Sequence, residues 1–174
     1  MRTIPVILLG VAALMAADNA NRRAPGFALP DSRMQVHDLA DYRGKLVVLE
    51  FMQTTCPHCA TFAGILNEVQ QKYGDRVVIL AVANSAQDNQ TTVAQYISGH
   101  KVRYPILFDA GQMAYSYFLS QSFDNPHIYL IDAYGTIKSD FGYGPMTKEI
   151  FEGKALFAEI DRVLSGGAAA PAKK

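Results

Sequence analysis

The chain has 174 residues, a length that fits one domain with short tails. Hydrophobic residues make up 49% and charged residues 18%, which is apolar enough for a folded core and argues against a disordered chain. The 16 basic and 16 acidic side chains cancel, and no block of one charge sign occurs. This balance disfavours a general nucleic-acid binder, which would be expected to carry a basic excess, and argues against a polybasic membrane patch.

The N-terminus is predicted to be an export segment rather than part of the fold. After Arg2, the run Ile4–Ala17 consists of apolar and small residues. This run is shorter than the about 20 residues that a membrane-spanning helix needs. We therefore predict a signal peptide over residues 1–20, with an uncleaved N-terminal anchor as the alternative. Both place the protein in the periplasm or cell envelope, where disulfides form and persist. Residues 24–164 are predicted to form one domain, and the low-complexity residues 165–174 a disordered tail.

Hydrophobic periodicity and turn residues predict an alternation of strands and helices. The predicted elements, in chain order, are two short strands Phe27–Leu29 and Met34–Val36, a strand Leu46–Phe51, a helix Pro57–Tyr73, a strand Val77–Ala83, a helix Thr91–Ser98 ended by Gly99, a strand Ile106–Phe108, a helix Gln112–Leu119, a strand His127–Ile131, its hairpin partner Thr136–Asp140, and a helix Glu149–Leu164. The strand Leu46–Phe51 is nearly all apolar, as expected for a strand buried on both faces. This order predicts an α/β fold with a central mixed β-sheet, helices on both faces and an N-terminal β-hairpin extension.

The two cysteines lie in the motif Cys56-Pro57-His58-Cys59, just after a buried strand and at the start of a helix. This placement favours a dithiol/disulfide redox centre. Unpaired N–H groups and the dipole of the first helical turn stabilise a thiolate on Cys56. Cys59, one turn later, is expected to be more buried and to act as the resolving thiol. A zinc site would need further ligands, and a structural disulfide closing so small a loop would stabilise the fold little.

Together with the motif, four further segments resemble a known family, the TlpA/ResA (AhpC/TSA–redoxin) type of thioredoxin-like proteins. The stretch LEFMQTTCPHC, residues 49–59, is similar to the active site of DsbA-type oxidases. The segments that resemble the TlpA/ResA type are Ala24–Pro30, Leu39–Lys45, Tyr104–Asp109 and Pro126–Gly135. The resemblance covers about residues 24–164, with the segments in the family's order.

The resemblance implies a thioredoxin-like thiol–disulfide oxidoreductase, a protein disulfide oxidase or reductase. Its partners would be protein substrates with thiols or disulfides and a redox partner in the envelope, soluble or membrane-bound. It implies no nucleic acid and no cofactor beyond the redox-active dithiol. The sequence departs from the family where Thr55 replaces an aromatic residue and where a Glu and a Pro after the second cysteine are absent. Leu49 and Gln53 replace the Pro and Ser/Thr of the peroxiredoxin motif, which disfavours the alternative of a peroxiredoxin-like peroxidase.

Three more residues are candidates for the site. Glu50 interrupts the buried strand six positions before Cys56, where thioredoxin-fold enzymes place an acid. Burial raises a carboxyl pKa, so Glu50 could exchange a proton with Cys59; a strand-end Glu paired with a Lys is the alternative. The resemblance implies that Pro126 is a cis-proline that faces the disulfide and leaves the preceding backbone free for a substrate peptide, whereas an ordinary trans proline is the alternative. His127 either lines the site or alternates outward.

The motif also bears on the direction of electron flow. A histidine inside the motif places a donor or positive charge within reach of Cys56, and stabilising the thiolate makes the pair more oxidising. The TlpA-like frame favours a reductant instead, and we expect a moderately oxidising centre. A copper-handling metallochaperone that uses Cys56, Cys59 and His127 is a competing function, since thiolates suit Cu(I).

Overall fold

The computed structural model describes residues 21–109, 111–118 and 124–166. The predicted signal peptide and residues 167–174 of the predicted tail lie outside these ranges. Ser165 and Gly166 form the turn that closes the last helix. Across the described ranges, no helix has the length and apolar character needed to span a membrane.

Seven strands and five α-helices are found in the described ranges. They are β1 (Ala28–Pro30), β2 (Val36–Asp38), β3 (Leu46–Met52), α1 (Pro57–Tyr73), β4 (Val77–Ala83), α2 (Gln90–His100), β5 (Ile106–Phe108), α3 (Gln112–Phe118), β6 (His127–Ile131), β7 (Ile137–Gly142), α4 (Lys148–Phe151) and α5 (Lys154–Leu164).

The main sheet has five strands in the order β5-β4-β3-β6-β7. The pairs β3–β4 and β4–β5 are parallel, whereas β6 is antiparallel to both β3 and β7. All seven residues of the central strand β3 are buried. The strands β1 and β2 form a separate antiparallel hairpin. The predicted mixed sheet with an N-terminal hairpin is therefore confirmed.

Two apolar layers cover the faces of the sheet. Side chains alternate along β3, so Val48 and Met52 enter one layer while Leu49 and Phe51 enter the other. The first layer is closed by α1, α2, α4 and α5, and the second by α3 and by residues next to the hairpin. By the same alternation, Glu50 projects to the α1 face of the sheet.

The last predicted helix is split in two by Gly153. This glycine has a φ of 96°, a left-handed conformation that interrupts a helix and favours glycine. A β-carbon at Gly153 would also lie only 3.1 Å from the Ile65 side chain of α1. The single helix predicted from periodicity is therefore wrong, because a close approach between helices requires a turn at this glycine.

Several other boundaries differ from the prediction by one or two residues: β3 runs on to Met52, β7 spans Ile137–Gly142, and α2 begins at Gln90. Helix α2 does not end at Gly99 but continues to His100, and Lys101 takes the left-handed capping position with a φ of 54°. The hairpin strands lie one to two residues later than predicted because the Asp31 carboxylate accepts the N–H groups of Arg33 (2.8 Å) and Gln35 (2.9 Å) and so moves the turn.

Candidate active site

The cysteine motif follows the central strand β3 and begins helix α1. Cys56 is the N-cap of α1, with extended dihedral angles of φ −83° and ψ 116°, and its sulfur accepts the N–H of Cys59 at 3.3 Å. Pro57 occupies the first helical turn, where its missing N–H leaves no hydrogen bond unmade. The sulfur of Cys56 therefore takes the place of a capping oxygen, and the electrostatics of the helix N-terminus favour a negative charge on it.

The two thiols differ sharply in exposure. Cys56 is partly exposed, whereas Cys59 is 0% exposed, and both are free thiols. Burial raises the pKa of Cys59, and the nearby charges of Glu50 and Cys56 raise it further. The difference in exposure is the one predicted from helix geometry. It leaves Cys56 open to a partner and Cys59 in need of a base.

Glu50 is a buried carboxyl group on the same face of the sheet as Cys59. It is 1% exposed, and its Oε1 has no hydrogen-bond partner among the described residues. Burial raises the pKa of Glu50 to about 8. None of the described ion pairs includes Glu50, so the alternative of a strand-end Glu paired with a Lys is not found. The charge of Glu50 also contributes, after burial, to the raised pKa values of Tyr96 and Tyr104, so both tyrosines lie close to it.

Pro126 lies beside the exposed thiol. The Asn125–Pro126 peptide bond is cis, as expected, and the proline is buried. The carbonyl oxygen of Asn125 lies 3.6 Å from the Cys56 sulfur, and the carbonyl oxygen of Pro126 accepts the N–H of Tyr143 at 3.0 Å. The trans alternative is therefore not found, and the proline loop, residues Asn125 and Pro126, lies beside the cysteine motif.

His58 is placed differently from the prediction. Its exposed imidazole stacks on the phenol ring of Tyr143, with ring centroids 4.1 Å apart and planes 21° apart. Among the described residues, no hydrogen bond joins His58 to the Cys56 sulfur, whose partners are the Cys59 N–H and the Asn125 carbonyl. His58 therefore makes no described hydrogen bond to the Cys56 sulfur, and the ring of Tyr143, just after β7, holds its imidazole.

His127 does not join the cysteines. Its ring packs on Phe118 (4.6 Å) and Tyr129 (4.8 Å) in the layer opposite Cys59. Its Nε2 lies 2.6 Å from an Asp140 carboxylate oxygen. Both predicted positions for His127 are wrong, because the alternation along β6 turns this side chain into the second core. No group of three or more metal-ligating side chains occurs in the described part of the chain, so the copper site with His127 is not formed.

Two candidate functional residues, Asp88 and Tyr143, were not predicted from the sequence. Asp88 accepts both the N–H (3.0 Å) and the hydroxyl (2.5 Å) of Thr54, two residues before Cys56, and also the N–H of Ser85 (3.1 Å). It follows β4, whose carboxyl end lies beside that of β3, so strand order could have identified Asp88. Tyr143 gave no sequence signal, because its stacking partner is 85 positions away in the chain.

Thioredoxin-like thiol–disulfide oxidoreductases are the class that this fold and site define together. A partly exposed thiol at a helix N-terminus can form a mixed disulfide with a partner, and a second thiol one turn behind it can release that partner by closing an internal bridge. The chain belongs to the AhpC/TSA family, whose model matches residues 20–139.

Sequence relatives agree with this class, and solved structures agree with the fold. The chain is 34% identical over 164 residues to the thiol-disulfide oxidoreductase ResA of Geobacillus thermodenitrificans, covering 86% of this chain and 89% of the relative. It is 29% identical to the thioredoxin-like protein YneN of Bacillus subtilis, over 76% of each chain. In fold, it resembles a thiol:disulfide interchange protein of Chlorobium tepidum, with a TM-score of 0.65, 22% identity and coverage of 84% of this chain and 98% of the other. A secreted disulfide oxidoreductase of Mycobacterium tuberculosis has a TM-score of 0.61, 22% identity and coverage of 75% and 95%. The protein is a thiol–disulfide oxidoreductase of the TlpA/ResA type.

Proposed function

We propose that this oxidoreductase is exported to the periplasm or cell envelope and exchanges disulfides with protein clients through Cys56 and Cys59. The observation that carries the proposal is the asymmetry of the pair. The Cys56 sulfur is partly exposed and lies 3.6 Å from the Asn125 carbonyl, whereas Cys59 is fully buried behind it. A client strand that lies along the proline loop would bring its own sulfur to Cys56 and not to Cys59.

The exchange needs no reactant beyond the client and the dithiol. In the reducing direction, the Cys56 thiolate attacks one sulfur of a client disulfide, and the client's other sulfur leaves as a thiolate and takes up a proton. The Cys59 thiolate then attacks the Cys56 sulfur, which closes the internal disulfide and releases the second client thiolate. Two electrons pass from the protein pair to the client, and the reverse sequence oxidises a client dithiol.

Glu50 is proposed to move the proton in the second step. Cys59 attacks only as a thiolate, and its raised pKa makes spontaneous ionisation unfavourable. With a pKa of about 8, Glu50 is mostly protonated at neutral pH, and its ionised fraction, which grows toward pH 8, accepts the thiol proton and returns it when the cycle reverses. No proton is then released into the buried layer of the sheet.

Trapping experiments test the assignment of the two thiols. In the Cys59→Ser variant, Cys56 forms a mixed disulfide that has no resolving thiol, so a disulfide-bonded client such as insulin should stay covalently attached on non-reducing gels. The matched variant Cys56→Ser should trap little, because the remaining thiol is buried. Equal trapping by both variants, or faster alkylation of Cys59 than of Cys56 at neutral pH, would contradict the assignment.

Export is supported by the apolar run Ile4–Ala17, which follows a single basic residue. A protein of the same fold is described as secreted. Fractionation of cells that express the full chain should find it in the envelope or periplasm, where a redox partner would restore the pair after each exchange. Recovery in the cytoplasm alone, with both cysteines reduced, would contradict export and leave the exchange chemistry intact.

A further inference from the structure

The imidazole of His58 stacks on Tyr143 and is not among the described hydrogen-bond partners of the Cys56 sulfur. The two rings are nearly parallel, at 21°, and their centroids are 4.1 Å apart, which is closer than most aromatic pairs. Both nitrogens of an imidazole that lies flat on a phenol ring remain free at its edge, yet neither donates to Cys56 among the described hydrogen bonds. The position of the imidazole is thus set by Tyr143.

Tyr143 is itself held from two sides. Its main-chain N–H donates to the Pro126 carbonyl oxygen at 3.0 Å, which anchors it beside the proline loop. Its ring makes an edge contact with Phe151 at 5.4 Å, and Phe151 makes a second one with Phe62 of α1 at 5.0 Å. His58 and Phe62 lie one turn apart on α1. The row of ring contacts from His58 through Tyr143 and Phe151 to Phe62 therefore begins and ends on the same face of that helix.

This arrangement bears on the reduction potential. An imidazole N–H that donates to the Cys56 thiolate would stabilise the reduced pair and make it more oxidising. In the stacked position, neither ring nitrogen of His58 donates to the Cys56 sulfur among the described hydrogen bonds. Since the redox function is the one proposed above, the inference deepens it and concerns how its potential is set.

We propose that Tyr143 is a positioning residue that holds His58 away from the Cys56 sulfur and keeps the pair less oxidising than a Cys-Pro-His-Cys motif otherwise would be. The substitution Tyr143→Leu keeps an apolar side chain against Phe151 and keeps the main-chain bond to Pro126, but it releases the imidazole. Tyr143→Phe keeps an aromatic ring and serves as the matched control.

The first measurement is the equilibrium of the Cys56–Cys59 pair with reduced and oxidised glutathione. Tyr143→Leu should favour the reduced pair by about tenfold, which corresponds to about 30 mV toward oxidising, and Tyr143→Phe should stay within about twofold of wild type. In a His58→Ala background, Tyr143→Leu should have no effect, because the donor is gone. An unchanged equilibrium in Tyr143→Leu, or the same change with and without His58, would overturn the inference.

The second measurement is the NMR shift of the His58 ring protons, which the phenol ring should move upfield in the wild type and in Tyr143→Phe. In Tyr143→Leu these protons should return toward the shifts of an unstacked histidine. Unshifted ring protons in the wild type would refute the stack itself. A pair that fails to equilibrate with glutathione at all would instead refute the proposed function, so the two failures are distinguishable.

Discussion

The substitution Glu50→Gln should remove a pH-dependent cost from the fold. Burial raises the pKa of Glu50 from its ordinary value of 4.5 to about 8, so the folded protein holds the carboxyl proton over a range in which the unfolded chain has lost it. The folded state then binds more protons than the unfolded state, and the free energy of unfolding falls as pH rises from 4.5 to about 8. Glutamine has nearly the same shape and does not titrate.

The size of the effect follows from the same interval. Each pH unit is worth about 1.4 kcal/mol, so the cost is about 3 kcal/mol at pH 7 and about 5 kcal/mol above pH 8. Relative to wild type, Glu50→Gln should therefore gain little at pH 4.5 and up to that amount at pH 8.5. This gain should appear although the enzyme loses its proton acceptor.

Urea unfolding of the reduced protein at several pH values and constant ionic strength measures the difference. Reducing conditions keep the disulfide from contributing, and the raised pKa of Cys59 keeps that thiol neutral over the range. The substitution Glu68→Gln, at an exposed position of α1, is the control and should leave the pH profile unchanged. A difference between Glu50→Gln and wild type that varies by less than about 1 kcal/mol from pH 4.5 to 8.5 would refute a buried, neutral Glu50.

Three other predictions concern the resolving step, the loop and the helix break. Glu50→Gln should slow closure of the internal disulfide by roughly a hundredfold in stopped-flow at pH 7. The wild-type rate should rise toward pH 8 as the carboxyl ionises. Equal rates for the two proteins would refute Glu50 as the base for Cys59. Asp88→Ala should lower the free energy of unfolding by about 2 kcal/mol, because the two hydrogen bonds from Thr54 to Asp88 are lost. If Asp88→Ala destabilised the fold no more than Asp88→Asn, these hydrogen bonds would not stabilise the fold. Gly153→Ala should destabilise by about 1–3 kcal/mol in thermal unfolding through its positive φ and the contact with Ile65, and an unchanged melting temperature would contradict it.

Local patterns were sufficient for the central elements. The run Val77–Ala83 and the helix Pro57–Tyr73 were predicted to the residue, because a continuous apolar run marks a buried strand and a 3.6-residue period marks a helix. The break at Gly153 is not predicted from the sequence, because an isolated glycine is tolerated inside a helical pattern. Only the packing of that turn against Ile65 shows why the helix must stop there.

For the site, the sequence by itself determined the chemistry: two thiols one turn apart, a carboxyl in a buried strand and a proline just before the strand β6. Each of these follows from residue type and position along one element. The tertiary structure decided what each group touches. Three contacts depend on which segments the strand order brings together. They are the stack of His58 on Tyr143, the hydrogen bonds from Thr54 to Asp88, and the burial of His127 in the second core. Contacts between residues tens of positions apart carry no local signal, because they are set by the order and twist of the sheet as a whole.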